Sequence, residues 1–176
     1  MVDWSLRTAR EVTDFVVLVV PRDHVEENGG PVDAVVPGGL TRSESVRAGL
    51  AAVPTDVDYV LVHDAARPVP VMAVWRRVID ALRAGAEAVV PVVPVTDTLR
   101  ERGGSTVDRD RFVAVQTPQG FRAAVLRRAH EHGAEGSDDA SLAEATGAKV
   151  VLVDGDPTNV KITDSSDLAM VELLVR

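Results

Sequence analysis

Residues 59–93 read YVLVHDAARPVPVMAVWRRVIDALRAGAEAVVPVV. The opening run, Tyr59 to His63, and the closing run, Ala88 to Val93, are apolar and largely β-branched, which is the composition of buried strands. Between them Val71, Val74, Val78 and Leu82 recur at three to four residues, the spacing of one helical face. Gly85 follows that helix where a left-handed residue closes it. Strand, helix and strand in this order, with strands apolar on both faces, predict a mostly parallel sheet covered by helices on both sides.

The same pattern extends outward. Phe15 to Val20, Ala34 to Val36, Phe112 to Val115 and Lys149 to Val153 read as further strands, and Ser43, Val46 and Leu50 as a helical face. Asp164 is placed to cap a closing helix, and Gly147 to end another. The fold class is α/β, Rossmann-like, in a single domain over residues 1–176. One segment departs from it. Val95 to Arg100 and Thr106 to Val115 flank Arg102-Gly103-Gly104-Ser105, which predicts a hairpin arm over about 95–115 instead of a crossover helix. Two strands alone are marginal in water, so the arm is expected to pack on a second copy, giving a homodimer. Glu26-Glu27-Asn28-Gly29-Gly30 reads as a flexible loop.

Composition narrows the function. The 176 residues are 45% hydrophobic and carry a formal charge of −8, so the chain repels phosphate backbones and nucleic acid is excluded as a partner. An anionic substrate must then be held by local cations or a metal ion. Aromatic content of 3% argues against a base-stacking surface. With no cysteine, no signal-type leader and no apolar run near the ~20 residues that span a bilayer, the expectation is a cytoplasmic protein with no membrane association.

In open parallel sheets ligands sit beyond the carboxyl ends of the strands. Three polar groups qualify. In His63-Asp64-Ala65-Ala66-Arg67-Pro68, Asp64 can hold Mg²⁺ and Arg67 can grip a phosphate, the alternative being an ion pair closing a turn. Gly38-Gly39-Leu40-Thr41-Arg42-Ser43-Glu44-Ser45 gives close backbone approach and a helix-opening hydroxyl, or simply a capped helix. In Asn159-Val160-Lys161-Ile162-Thr163, Lys161 can neutralise a transferring phosphoryl group, or be a solvated surface lysine. His24, His130 and His132 read as polar or helical surface positions. No zinc-ligand spacing and no serine with a base partner is evident.

The segments GGLTRSESVRAGL (38–50), VLVHDAARP (60–68), PVTDTL (94–99), VDRDRF (107–112), QTPQGF (116–121), SDDASL (137–142) and NVKITDSSDL (159–168) resemble, in order and spacing, the 2-C-methyl-D-erythritol 4-phosphate cytidylyltransferases of isoprenoid precursor synthesis. The resemblance implies transfer of CMP from CTP to a sugar-alcohol phosphate with Mg²⁺, by direct in-line attack and loss of pyrophosphate. It further implies that Asp64 binds Mg²⁺ and that Lys161 stabilises the α-phosphate. Arg67 and Thr98 would contact the methylerythritol phosphate, and Gly39 and Ser45 would read the cytosine. Arg109 and Thr117 would reach into the partner subunit of a homodimer. A ribitol 5-phosphate cytidylyltransferase and a non-catalytic phosphate-binding module are the competing expectations. Family members begin with a strand and a glycine-rich loop of the type AAGxGxRMG, then PKQ, and nothing of this kind precedes Phe15; Met1 to Val12 looks like the helix after that loop. The unmatched strand would be central, leaving backbone groups on both neighbours unpaired unless those strands close up.

Overall fold

The computed structural model describes residues 2–26, 30–69 and 71–174, so positions 27–29 of the expected flexible loop lie outside the described residues. Helix α1 (Val2–Val12) and strand β1 (Val17–Val20) come first, and β2 (Ala34–Pro37) pairs with β1 in parallel. Helix α2 (Arg42–Ala52) leads to β3 (Tyr59–Val62), α3 (Met72–Arg83) and β4 (Ala88–Pro94), the expected strand–helix–strand unit. Then follow β5 (Val113–Val115), β6 (Gln119–Arg122), α4 (Ala123–Ala129), α5 (Asp139–Ala145), β7 (Val150–Asp154) and α6 (Ser165–Leu174).

The main sheet is built around β4. On one edge β7 runs parallel to it, Ala88 opposite Val150 and Val92 opposite Asp154. The other edge carries β5 and β6, both antiparallel, and β6 in turn pairs antiparallel with β3. Strands β3, β4 and β7 therefore share a direction, and β6 is the reversed strand between them. That strand is missing from the sequence reading, because Gln119, Gly120 and Arg122 carry no β-branched side chain. Its selection is steric instead. A Cβ on Gly120 would meet Val78 Cγ1 at 2.5 Å and Leu82 Cδ1 at 2.9 Å, so glycine lets α3 close onto the sheet.

Helices cover both faces. Val78 and Leu82 of α3 pack with Val89 beneath one face, while Phe121, Val125, Leu126 and Ala143 join Leu50 of α2 on the other. Each fully buried side chain of this size contributes about 1.5–3 kcal/mol. The punctuation falls where expected. Gly85 and Gly147 adopt φ of 109° and 87° after α3 and α5, and Asp164 Oδ1 accepts from the Ser166 and Asp167 amides at 2.7 and 3.2 Å to open α6.

The arm is a hairpin only at its tip. Gly103 turns with φ of 80°, and a single antiparallel bridge joins Arg100 to Thr106. Val95 to Arg100 does not form the expected strand. The returning half is a short 3-10 turn at Arg109–Arg111 followed by three residues of β5 paired to Val92–Pro94. The β4–β5 ladder ends at Pro94, which has no N–H to offer a longer one.

Strands β1 and β3 share no ladder, so the β1–β2 pair stands apart from the main sheet. A cavity of about 1190 Å³ lies between them, lined by Val17–Val20 on one side and Tyr59–Val62 on the other. The two strands have not closed up, and their facing edges carry peptide groups with no strand partner among the described residues. At the carboxyl end the cavity opens onto Gly39, Arg42 and Asp64.

Replacing Gly120 by Ala is expected to destabilise the fold by about 1–3 kcal/mol through overpacking against α3. Urea unfolding followed by circular dichroism checks this, and an unchanged midpoint would mean that α3 has room to retreat.

Candidate active site

The site grows from the carboxyl end of β3. There His63 and Asp64 leave the strand and a tight turn, closed by Arg67 N–H donating to the Asp64 carbonyl at 2.9 Å, sets Asp64 and Arg67 side by side. Asp64 is the hinge of the charge pattern. Its Oδ2 accepts from Lys161 Nζ at 2.8 Å, and its Oδ1 faces Arg42 Nε at 3.4 Å. Burial pushes its carboxyl upward, but Lys161 and Arg42 outweigh that and hold it below the ordinary carboxylate value. Burial draws the Arg67 guanidinium down, with Asp64 opposing. Arg67 donates through its terminal nitrogens to the carbonyls of Asn159 and Val115 at 2.6 and 3.1 Å, and its Nε is buried without a partner.

Behind this lies a second layer. Arg42 also sits 2.8 Å from Asp139 Oδ2, and Asp139 is fully buried with its Oδ1 receiving His130 Nε2 at 2.9 Å. His130 is thus a core residue at 5% exposure, contrary to its reading as a surface position; the end of α4 turns it inward onto the N-terminus of α5. Burial lowers the Arg42 guanidinium but Asp139 and then Asp64 raise it further, so its charge is secure. Arg42, Arg67 and Lys161 against Asp64 and Asp139 leave one positive charge in excess. That is the local cation cluster which a chain of charge −8 requires for an anionic ligand.

Gly39 and Ser45 lie at the rim beside Arg42. Gly39 N–H donates to Ser45 Oγ at 3.2 Å, Ser45 Oγ donates to the Thr41 carbonyl at 3.0 Å, and Thr41 with Glu44 forms a reciprocal capping box that fixes the start of α2. Thr117 reaches the cluster from the β5–β6 turn, where its hydroxyl receives the Asp64 amide at 3.1 Å. Thr98 and Arg109 are elsewhere. They line a small hollow of about 290 Å³ on the arm, and Arg109 bonds the Thr96 carbonyl instead of any residue of the Asp64 cluster. The sequence therefore separates into a group the fold gathers (Gly39, Ser45, Asp64, Arg67, Thr117, Lys161) and a pair it holds on the arm.

Arg42, Asp139, His130 and Asn159 belong to the site but were not singled out from the sequence. One signal was available for Arg42: a cation in the first turn of a helix opposes the helix dipole, so an acidic partner is to be expected. Nothing comparable marks Asp139. It reads as an ordinary first-turn acid next to the Asp138 cap.

Metal chemistry is constrained by the same geometry. Among the described residues no three His, Cys, Asp or Glu side chains come together, so a protein-only cage is not formed. A single strand-end carboxylate does fit a magnesium ion that takes its other ligands from water and substrate phosphates.

An open α/β sheet that presents a carboxylate and cations at its carboxyl edge marks a site for a phosphorylated ligand, and the fold alone does not say which reaction it serves. The comparisons with known proteins specify which. The family of 2-C-methyl-D-erythritol 4-phosphate cytidylyltransferases matches residues 1–176. The enzyme of that name from Rhodococcus jostii is 47% identical over 173 residues, covering 92% of this chain and 75% of its own. That from Nocardia farcinica is 44% identical over 177 residues, covering 95% and 76%. The crystal structure of the Thermus thermophilus enzyme superposes with a TM-score of 0.89 at 41% identity, covering 98% of this chain and 87% of that one. The chain belongs to the 2-C-methyl-D-erythritol 4-phosphate cytidylyltransferase family.

His63 sits next to Asp64 against Trp75, ring centroids 4.8 Å apart, and burial pushes its imidazole down to about 4. The unfolded chain, with an ordinary histidine near 6.5, binds this proton first. Stability from His63 is therefore complete above about pH 6.5 and is lost as pH falls toward about 4, by up to roughly 3 kcal/mol. Urea unfolding between pH 7.5 and 4.5 should show a shallower decline for His63→Gln than for the parent; parallel curves would place the imidazole in contact with water.

Proposed function

We propose that this chain transfers CMP from CTP to 2-C-methyl-D-erythritol 4-phosphate, releasing pyrophosphate. The observation that carries the reading is Asp64 held between Lys161 and Arg42, with Arg67 one turn away, at the carboxyl edge of a sheet whose family performs this reaction. The substrate phosphate attacks the α-phosphorus of CTP in line: the new O–P bond forms as the bond to the bridging oxygen breaks, and pyrophosphate carries away the electron pair. Lys161 lies 45% exposed and can turn from Asp64 to the charge that builds on the α-phosphoryl oxygens. Asp64, so released, is the residue that would hold a magnesium ion, which would supply neutralisation of phosphate charge when bound, and Arg67 engages the phosphate of the sugar alcohol. Gly39 and Ser45 stand where a cytosine ring can be read by backbone and hydroxyl. The phosphates lie against the open end of the cavity between β1 and β3.

A homodimer joined through the arm is part of this proposal. Phe112, Val113 and Val115 are 46, 45 and 44% exposed, an apolar strip that a second copy would cover while presenting Thr98 and Arg109 to the neighbouring site. A location in the cytoplasm fits the chemistry of a CTP-dependent step, and among the described residues no helix is long and apolar enough to cross a membrane.

Purified chain with CTP, Mg²⁺ and methylerythritol phosphate should release pyrophosphate, and Lys161→Gln should reduce the rate about 100- to 1,000-fold. The same assay on a chain extended by a glycine-rich loop and strand separates two causes of low activity. Release by the extended form alone assigns essential transition-state contacts to that loop; silence from both, with methylerythritol phosphate still bound, contradicts the transferase reading. Ribitol 5-phosphate run in parallel is expected to be the poorer acceptor.

A further inference from the structure

We propose that Gln116 is a positioning residue for Lys161: its buried side-chain amide holds the loop that brings this lysine to Asp64. The glutamine is 4% exposed and lies just past β5, its own N–H donating to the Pro91 carbonyl at 2.8 Å. Its side chain pairs with the Asp156 peptide on both the N–H and the C=O, as a strand rung does. Oε1 accepts from the Asp156 amide at 3.0 Å, and Nε2 donates to the Asp156 carbonyl at 2.8 Å. Oε1 also accepts from Asn159 Nδ2 at 3.3 Å, so two N–H donors converge on one oxygen. That fixes the orientation of the amide, because the flipped form would set its NH₂ against both donors.

The loop after β7 is shaped to this contact. Gly155 N–H donates to the Val92 carbonyl at 2.8 Å, and a Cβ on Gly155 would meet Gln116 Oε1 at 2.5 Å, so glycine permits the approach. From α3, Arg77 donates to the Asp154 and Gly155 carbonyls at 2.7 and 3.1 Å. The Asp156 carboxylate is used within the loop, accepting from the Thr158 amide and hydroxyl at 2.8 and 2.6 Å. Asn159 N–H closes the turn on the Asp156 carbonyl at 2.9 Å, and the residue is 3% exposed. Lys161 follows two residues later. The next N–H, that of Ile162, donates to the Ala66 carbonyl at 2.8 Å. The lysine backbone is therefore pinned on both sides, by the Gln116–Asn159 contact before it and by the turn after β3 behind it. Its side chain is what remains to move, and at 45% exposure it can carry Nζ between Asp64 and an arriving phosphate.

This role rests on the reading of Lys161 as the residue that meets charge on the α-phosphoryl group, so the test has one arm independent of turnover. In Gln116→Met, similar in length but unable to form these hydrogen bonds, the Ile162 amide should exchange at least about tenfold faster than in the parent. Gln116→Glu keeps an acceptor for Asp156 and Asn159 and should fall between the two, which also provides a second variant should methionine prevent folding. In pyrophosphate release, by the chain or its loop-extended form, Gln116→Met should lower kcat about tenfold with KM for CTP and methylerythritol phosphate within about twofold. Added to Lys161→Gln, the same change should lower kcat by less than about twofold, because the group it positions is gone. A fully additive loss in that background, or unaltered Ile162 exchange in both Gln116 variants, would overturn the proposal. A Lys161→Gln chain as fast as the parent would remove the reading of Lys161 and the proposal with it. That failure is distinguishable, because Ile162 exchange would still respond to Gln116→Met.

Discussion

The carboxylate of Asp64 joins parts of the chain that the sequence keeps far apart. Arg42 is 22 residues before it and Lys161 is 97 after it, the first reaching it from the opening turn of α2 and the second from the loop that follows β7. Partly buried ion pairs of this kind contribute little net stability, because desolvation offsets the attraction. Their effect is on arrangement. With Lys161 on one oxygen and Arg42 on the other, the carboxylate has one favoured orientation, and Asp139 and His130 behind Arg42 keep that guanidinium from following Asp64 into solvent. A single misplaced member would leave a buried charge uncompensated, which is costlier than never having assembled the set.

The two-part sheet bears on the same point. In an unbroken sheet the carboxyl ends of adjacent strands are spaced by their ladders. Here β1 and β2 are connected to β3 through α2 and through Arg42, across a cavity of about 1190 Å³. The contact between Arg42 and Asp64 spans the mouth of that cavity and helps to register the two halves. Leu50 of α2 in the core beneath β6 and Gly49 against Val19 supply the apolar part of the same connection.

Much of this organisation could be read in the residues because it is local. The apolar runs of β1, β3, β4 and β7, the helical spacing of α3, the glycines at 85 and 147 and the Asp164 cap each act within a few residues, and each appears where periodicity places it. β6 could not be read that way. Its selection depends on α3 descending onto Gly120, a contact made 42 residues away from Val78. The arm illustrates the same limit, since the turn at Gly103 is a local preference whereas the length of its strands is decided by Pro94 and by pairing with β4. Within the site, Asp64, Arg67 and Lys161 were legible as strand-end polar residues joined by a family resemblance. His130 and Asp139 were not, because an inward-facing helix end and an outward-facing one have the same short-range sequence.

The charge distribution gives these separate observations a common reason. A chain with net charge −8 repels polyanions at a distance, and the excess of one positive charge at the β3 edge is effective only within roughly a Debye length, about 8 Å at physiological ionic strength. Capture of a phosphorylated substrate therefore depends on short-range geometry more than on long-range steering. That places the burden on groups that hold Asp64, Arg67 and Lys161 still before the ligand arrives, and neutral, buried hydrogen-bonding residues suit that task because they add no field of their own. His63 is the clearest case. Its ring is uncharged, packed on Trp75 and saturated with partners, so it fixes the turn between two charged residues without altering the balance between them.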